Sequence, residues 1–157
     1  MNYNPDFLKK TVDLSRKNMY ENIGGPFGAI IIKDGKIIAE GSNQVTSTND
    51  PTAHAEMVAI RKACQNLQTF DLSGCEIYSS CEPCPMCLSA IYWARLEKIY
   101  FANSRQDAAN IGFDDDFIYQ EIPKNIESRK ISCIHVDSED AKNVFQEWQN
   151  KIDKIEY

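Results

Sequence analysis

"CEIYSSCEPCPMCLSAIYWARL", residues 75–96, changes character partway along. Its first seven residues read as a short strand. From just after Pro83 the apolar residues take helical spacing, with a proline where the first turn of a helix tolerates one. A strand that feeds a helix through a short loop is part of a layered α/β unit. Downstream, "EKIYFAN" (97–103) reads as the next strand. Upstream, "DPTAHAEMVAIRKACQNL" (50–67) reads as a buried helix opening near Pro51 and Thr52, with Met57, Ile60 and Cys64 on one side. Before it, "GGPFGAIIIKDGKIIAEGSNQV" (24–45) holds two apolar runs, 29–32 and 37–39, about Asp34-Gly35, the pattern of a hairpin. Residues 4–22 carry Phe7, Leu8, Val12, Leu14 and Met19 at helical spacing, starting near Asn4 or Pro5. "RKISCIHVD" (129–137) is expected as a fifth strand. Residues 138–152 are expected as a C-terminal helix capped by Ser138. Strands alternating with helices after an antiparallel hairpin imply an α/β sandwich around a five-stranded mixed sheet.

The chain has 157 residues, enough for one domain with a sizeable core. Its formal charge is −6, and its basic pairs (Arg16–Lys17, Arg61–Lys62, Arg129–Lys130) stand apart from one another. Such a surface repels phosphate backbones, so no nucleic-acid partner is expected. The N-terminal stretch lacks the apolar core of a signal peptide, and no run is long enough to span a bilayer. A cytoplasmic setting is expected. There, six cysteines point to metal or catalysis more than to disulfides.

Three of those cysteines, Cys81, Cys84 and Cys87, are spaced by two. A bacterial-ferredoxin cluster would need a fourth cysteine where Ile91 stands. A single redox C-x-x-C is compatible with the spacing, but "HAE" (54–56) offers more. Cys84 and Cys87, three apart at a helix start, turn both sulfurs to one side, where the helix dipole favours thiolates. His54 then completes a three-ligand tetrahedral zinc site with one position open. Glu56, two residues on, is placed to take a proton from an activated water. H-x-E followed by P-C-x-x-C matches the signature of zinc-dependent base deaminases. Cys81 is expected to line the pocket or pack beneath it. Cys64, Cys75 and Cys133 are expected in the core, and His135 is read as structural.

With those motifs in view, the chain resembles the cytidine deaminase superfamily, and more narrowly the bacterial guanine deaminases. Residues 23–41, 49–64 and 80–95 carry the likeness. "IYWAR", "AANIGFDDDFIYQEI" (108–122) and the terminal Glu156-Tyr157 carry the narrower one. The resemblance implies a three-layer α/β/α fold and one zinc ion per subunit on His54, Cys84 and Cys87. It implies hydrolysis of guanine to xanthine and ammonia, with Glu56 as proton shuttle and Asp115 as a second acid near the amino group. Asn43 would recognise the base. Phe27, Ala55 and Trp93 would line the substrate site, and Tyr157 would reach into a partner's pocket. It also implies a homodimer built from a single deaminase domain, residues 1–157, whose C-terminal segment from about residue 136 is swapped between subunits. Of the three consecutive aspartates Asp114 to Asp116, Asp115 is the one that aligns with that acid. Three alternatives stand: a tRNA adenosine deaminase, a deaminase of guanosine or a related analogue, and a structural zinc domain with Cys81 as fourth ligand.

Overall fold

The computed structural model describes residues 3–113 and 115–157. The chain divides into two compact units, Met1–Tyr119 and Gln120–Tyr157. In the first, α1 (Pro5–Tyr20) is followed by the hairpin β1 (Gly28–Lys33) and β2 (Lys36–Ser42), a short α2 (Val45–Thr48) and α3 (Ala55–Leu67). Then come β3 (Cys75–Cys81), α4 (Pro85–Trp93), β4 (Lys98–Asn103) and α5 (Arg105–Asn110). Helix α6 (Asp116–Glu121) closes the first unit and opens the second, which holds a 3-10 turn (Ile126–Ser128) and α7 (Glu139–Asn150).

Local chemistry accounts for the boundaries. The Asn4 side chain accepts from the Asp6 amide at 3.0 Å and caps α1, with Pro5 in the first turn. Asp34 and Gly35 both have positive φ, 49° and 73°, as a tight two-residue hairpin turn demands. Helix α3 starts later than its apolar pattern predicts. Asp50 Oδ1 accepts from the Thr52 amide (2.8 Å) and hydroxyl (2.7 Å), so residues 50–52 turn before the helix begins.

The sheet order is β2-β1-β3-β4, with β3 and β4 parallel and the other pairs antiparallel. Alternation along β1 feeds two cores. Ala29 and Ile31 pack with Ile77, Ala55, Ala59 and Ile91 under α3 and α4. Ile30 and Ile32 pack with Tyr78, Phe7 and Leu14 under α1. Each fully buried isoleucine contributes roughly 1.5–3 kcal/mol relative to exposure. The first unit is therefore a three-layer α/β/α sandwich.

Among the described residues the expected fifth strand is absent and the sheet has four. Residues 129–137 have no ladder partner among the described residues, and Ile131, Ile134 and Val136 are 76–84% exposed. A strand forms through its hydrogen-bonded neighbour and a buried face, and here neither offsets the cost of ordering the backbone. Cys133 is consequently exposed rather than in the core, as is His135, whereas Cys75 is fully buried and Cys64 packs against the core. The C-terminal helix forms as expected, with Ser138 Oγ accepting from the Ala141 amide at 3.3 Å. Among the described residues no helix is long and apolar enough to cross a membrane.

Candidate active site

Two helices begin at the same place. His54 is the N-cap of α3 and Cys84 the N-cap of α4. Their side chains point at a common centre. His54 Nδ1 lies 3.5 Å from Cys84 Sγ and 3.6 Å from Cys87 Sγ. The three ligand atoms are within 4.8 Å of one another, and Cys84 and Cys87 are buried. Zinc–sulfur and zinc–nitrogen bonds of about 2.3 and 2.0 Å at a tetrahedral angle put sulfur and nitrogen roughly 3.5 Å apart, so the three residues fit the ion.

Close packing makes this convergence possible. A Cβ on Gly41 of β2 would lie 2.2 Å from the Ala55 carbonyl oxygen and 2.6 Å from the Ala59 amide nitrogen. Only glycine lets the first turn of α3 rest directly on the sheet.

Electrostatics favour a cation here. A hydrogen bond from Cys87, helped by His54, holds Cys84 well below the ordinary thiol range, while Cys84 and burial push Cys87 up. The same Cys84 sulfur raises His54, against its burial. Glu56 is only 6% exposed. Its Oε1 accepts from Ser79 Oγ at 3.2 Å, and its Oε2 lies 3.5 Å from Cys87 Sγ. Burial pushes its carboxyl above the ordinary range, suiting it to take up and return a proton.

Above the cluster opens a cavity of about 320 Å³. His54, Glu56 and Cys84 line one end. Phe27 and Phe113 stand at 89° with centroids 4.9 Å apart and form apolar walls. Asn43 is 7% exposed, and its Oδ1 accepts from the amides of Gly25 (3.3 Å) and Val45 (3.2 Å). That fixes the orientation of its amide group, whose Nδ2 has no partner among the described residues. Asp115 also lines the cavity, its carboxyl raised by burial. Of its neighbours, Asp114 lies outside the described residues, and Asp116 pairs with Arg105 at 3.6 Å.

Of the other expected site residues, Ala55 and Trp93 are not among those lining the cavity. Ala55 is fully buried in the core, and Trp93, 66% exposed, ends α4 away from the cavity lining. Tyr157 belongs to the second unit and is 72% exposed. Cys81 lines the cavity but is not in the metal cluster. Its thiol donates to the Ser104 carbonyl at 3.6 Å, and burial pushes it up to about 12. Ser79, Phe113 and Glu82 were not singled out in the sequence. Ser79 has a legible signal: it shares the inward face of β3 with Ile77, where a lone hydroxyl marks a buried polar partner.

Two thiols and one imidazole, with a carboxylate beside them, suit a single-metal hydrolytic centre. The comparisons agree. Residues 1–103 match the family model of the cytidine and deoxycytidylate deaminase zinc-binding region, and the chain belongs to that family. It is 54% identical over 151 residues to a guanine deaminase of Bacillus subtilis (strain 168), covering 96% of this chain and 97% of that one. The X-ray structure of guanine deaminase from Bacillus subtilis superposes with a TM-score of 0.96, covering 100% and 99% of the two chains at 54% identity. A guanine deaminase structure from Nitrosomonas europaea gives a TM-score of 0.69 at 33% identity, over 73% of this chain and 66% of that one. A tRNA-specific adenosine deaminase of Aquifex aeolicus is 44% identical over 97 residues, covering 62% and 64%.

Proposed function

We propose that this protein hydrolyses guanine to xanthine and ammonia. The observation that carries the reading is the Glu56 carboxylate, buried beside the His54–Cys84–Cys87 cluster at the end of a cavity lined by Phe27, Asn43 and Asp115. Likeness to guanine deaminases across nearly the whole chain supports the substrate.

His54, Cys84 and Cys87 would hold the zinc ion, which supplies the Lewis acidity that makes water a nucleophile near neutral pH. Glu56 accepts the proton of the attacking water, with Ser79 holding its other oxygen still. The carboxyl then returns a proton to the ring nitrogen beside C2 as the C–O bond forms, leaving a tetrahedral carbon. Glu56 then takes the proton of the hydroxyl now on C2 and, with help from Asp115, passes it to the amino nitrogen, so that C=O forms as the amine departs. The C–N bond breaks and ammonia leaves. Phe27, with Phe113 packed edge-on against it, gives a flat base an apolar wall, and the Asn43 amide N–H donates to its edge. Ala55, Trp93 and Tyr157 are proposed to complete the substrate site.

We further infer a single deaminase domain acting as a cytoplasmic homodimer with the segment from about residue 136 exchanged between subunits. The exposed Phe145 (81%) and Trp148 (45%) of α7 support a further burial partner for that helix.

A tRNA adenosine substrate is the second reading, favoured by the Aquifex aeolicus relative. The charge of −6 opposes it. Ammonia release from guanine, guanosine, adenine, cytosine and cytidine, with binding to a tRNA anticodon stem, tests both. Guanine alone should react. Turnover confined to adenosine in tRNA would replace the proposal.

A further inference from the structure

We propose that Tyr119 is a positioning residue for Asp115, acting by tying helix α6 to the loop that carries the metal-binding cysteines. The Tyr119 hydroxyl donates to the Pro83 carbonyl at 2.9 Å, one residue ahead of Cys84. Asp115 begins the turn that ends at Tyr119: its carbonyl accepts from the amides of Ile118 (3.0 Å) and Tyr119 (3.4 Å). The acid that lines the cavity and the phenol that reaches the cysteine loop are therefore one helical turn apart on a single short element.

Arg105 braces the same turn from the other side. Its guanidinium carbon sits 4.6 Å from the centre of the Tyr119 ring, and its Nε is 3.6 Å from Asp116. Its backbone N–H donates to Glu82 Oε2 at 3.0 Å. The cysteine loop is thus joined to segment 105–119 at two adjacent residues, Glu82 and Pro83.

Apolar burial fixes this segment only at Ala108 and where Phe113 meets Phe27, ahead of Asp115. Phe113, Phe117 and Ile118 are 40–43% exposed, whereas the sheet residues beneath are fully buried. A segment held by few buried contacts opens easily, so the polar joints set where Asp115 stands. Losing the hydroxyl frees the turn without altering any cavity-lining side chain.

This inference rests on Asp115 meeting the substrate, as proposed above. The test is Tyr119→Phe in the full-length, zinc-loaded protein, alone and combined with Asp115→Ala, reading zinc content, kcat and KM for guanine. Tyr119→Phe should lower kcat/KM about tenfold, the worth of one hydrogen bond of roughly 1.4 kcal/mol. Zinc content should not change. In the Asp115→Ala background the same substitution should cost less than about twofold, since its target is gone. An equal cost in both backgrounds, loss of zinc, or no effect beside a strongly impaired Asp115→Ala would overturn the positioning role. A fully active Asp115→Ala would overturn the Asp115 reading itself, and the positioning role with it.

Discussion

Glu56 Oε2 stands 3.5 Å from Cys87 Sγ, with no room between them for another residue. A base so close to the metal cluster, yet fastened through its other oxygen to Ser79 and not one of the three clustered ligand residues, would be placed to take a proton from a water activated there. Glu56→Gln keeps the shape and removes the proton acceptor. We expect kcat for guanine to fall by about 10³-fold, within the range for a general acid–base, while bound zinc stays at the wild-type level. Parallel kinetics and metal analysis check it; a near-normal rate would refute the role.

Cys84→Ala removes one of the three side chains that would hold the ion. Metal and activity should both be lost. Thermal unfolding should drop toward that of chelator-treated wild type, because metal binding contributes folding free energy. A metal-replete, active Cys84→Ala would break the zinc account.

Gly41→Ala places a methyl 2.2 Å from the Ala55 carbonyl oxygen. The clash is with backbone, so α3 must move, carrying His54 and Glu56. Overpacking of this kind costs about 1–3 kcal/mol. A lowered Tm together with reduced activity is expected, whereas the same change at Gly35, where a Cβ meets nothing, should leave activity intact.

Much of this was legible in the sequence, and the reasons differ by element. The hairpin followed from Asp34-Gly35 between apolar runs. The metal cluster followed from spacing, since a C-x-x-C at a helix start has few ways to turn its sulfurs. The non-local contacts were not legible. Ser79 behind Glu56 and Phe113 against Phe27 depend on which residues of distant elements face each other. The missing fifth strand is the same problem: 129–137 has strand-like composition, but the ladder that makes a strand is a property of its neighbours.

Asn43→Ala should weaken guanine use and stability together. It orphans the Gly25 and Val45 amides that Oδ1 now accepts from, at about 1–3 kcal/mol. Titration with urea and steady-state kinetics read the two losses separately.

Thiol labelling should follow burial. In the folded, zinc-loaded protein, alkylation at pH 8 should modify Cys133 first and Cys64 slowly. Cys81, protonated up to about 12, should remain unmodified until the protein unfolds.

The most direct measurement is zinc X-ray absorption on the purified protein. Two sulfurs at about 2.3 Å and two lighter atoms near 2.0 Å are expected: Cys84, Cys87, His54 and a solvent oxygen. Three sulfurs, with Cys81 filling the fourth vertex, would leave no place for water and contradict the hydrolytic centre.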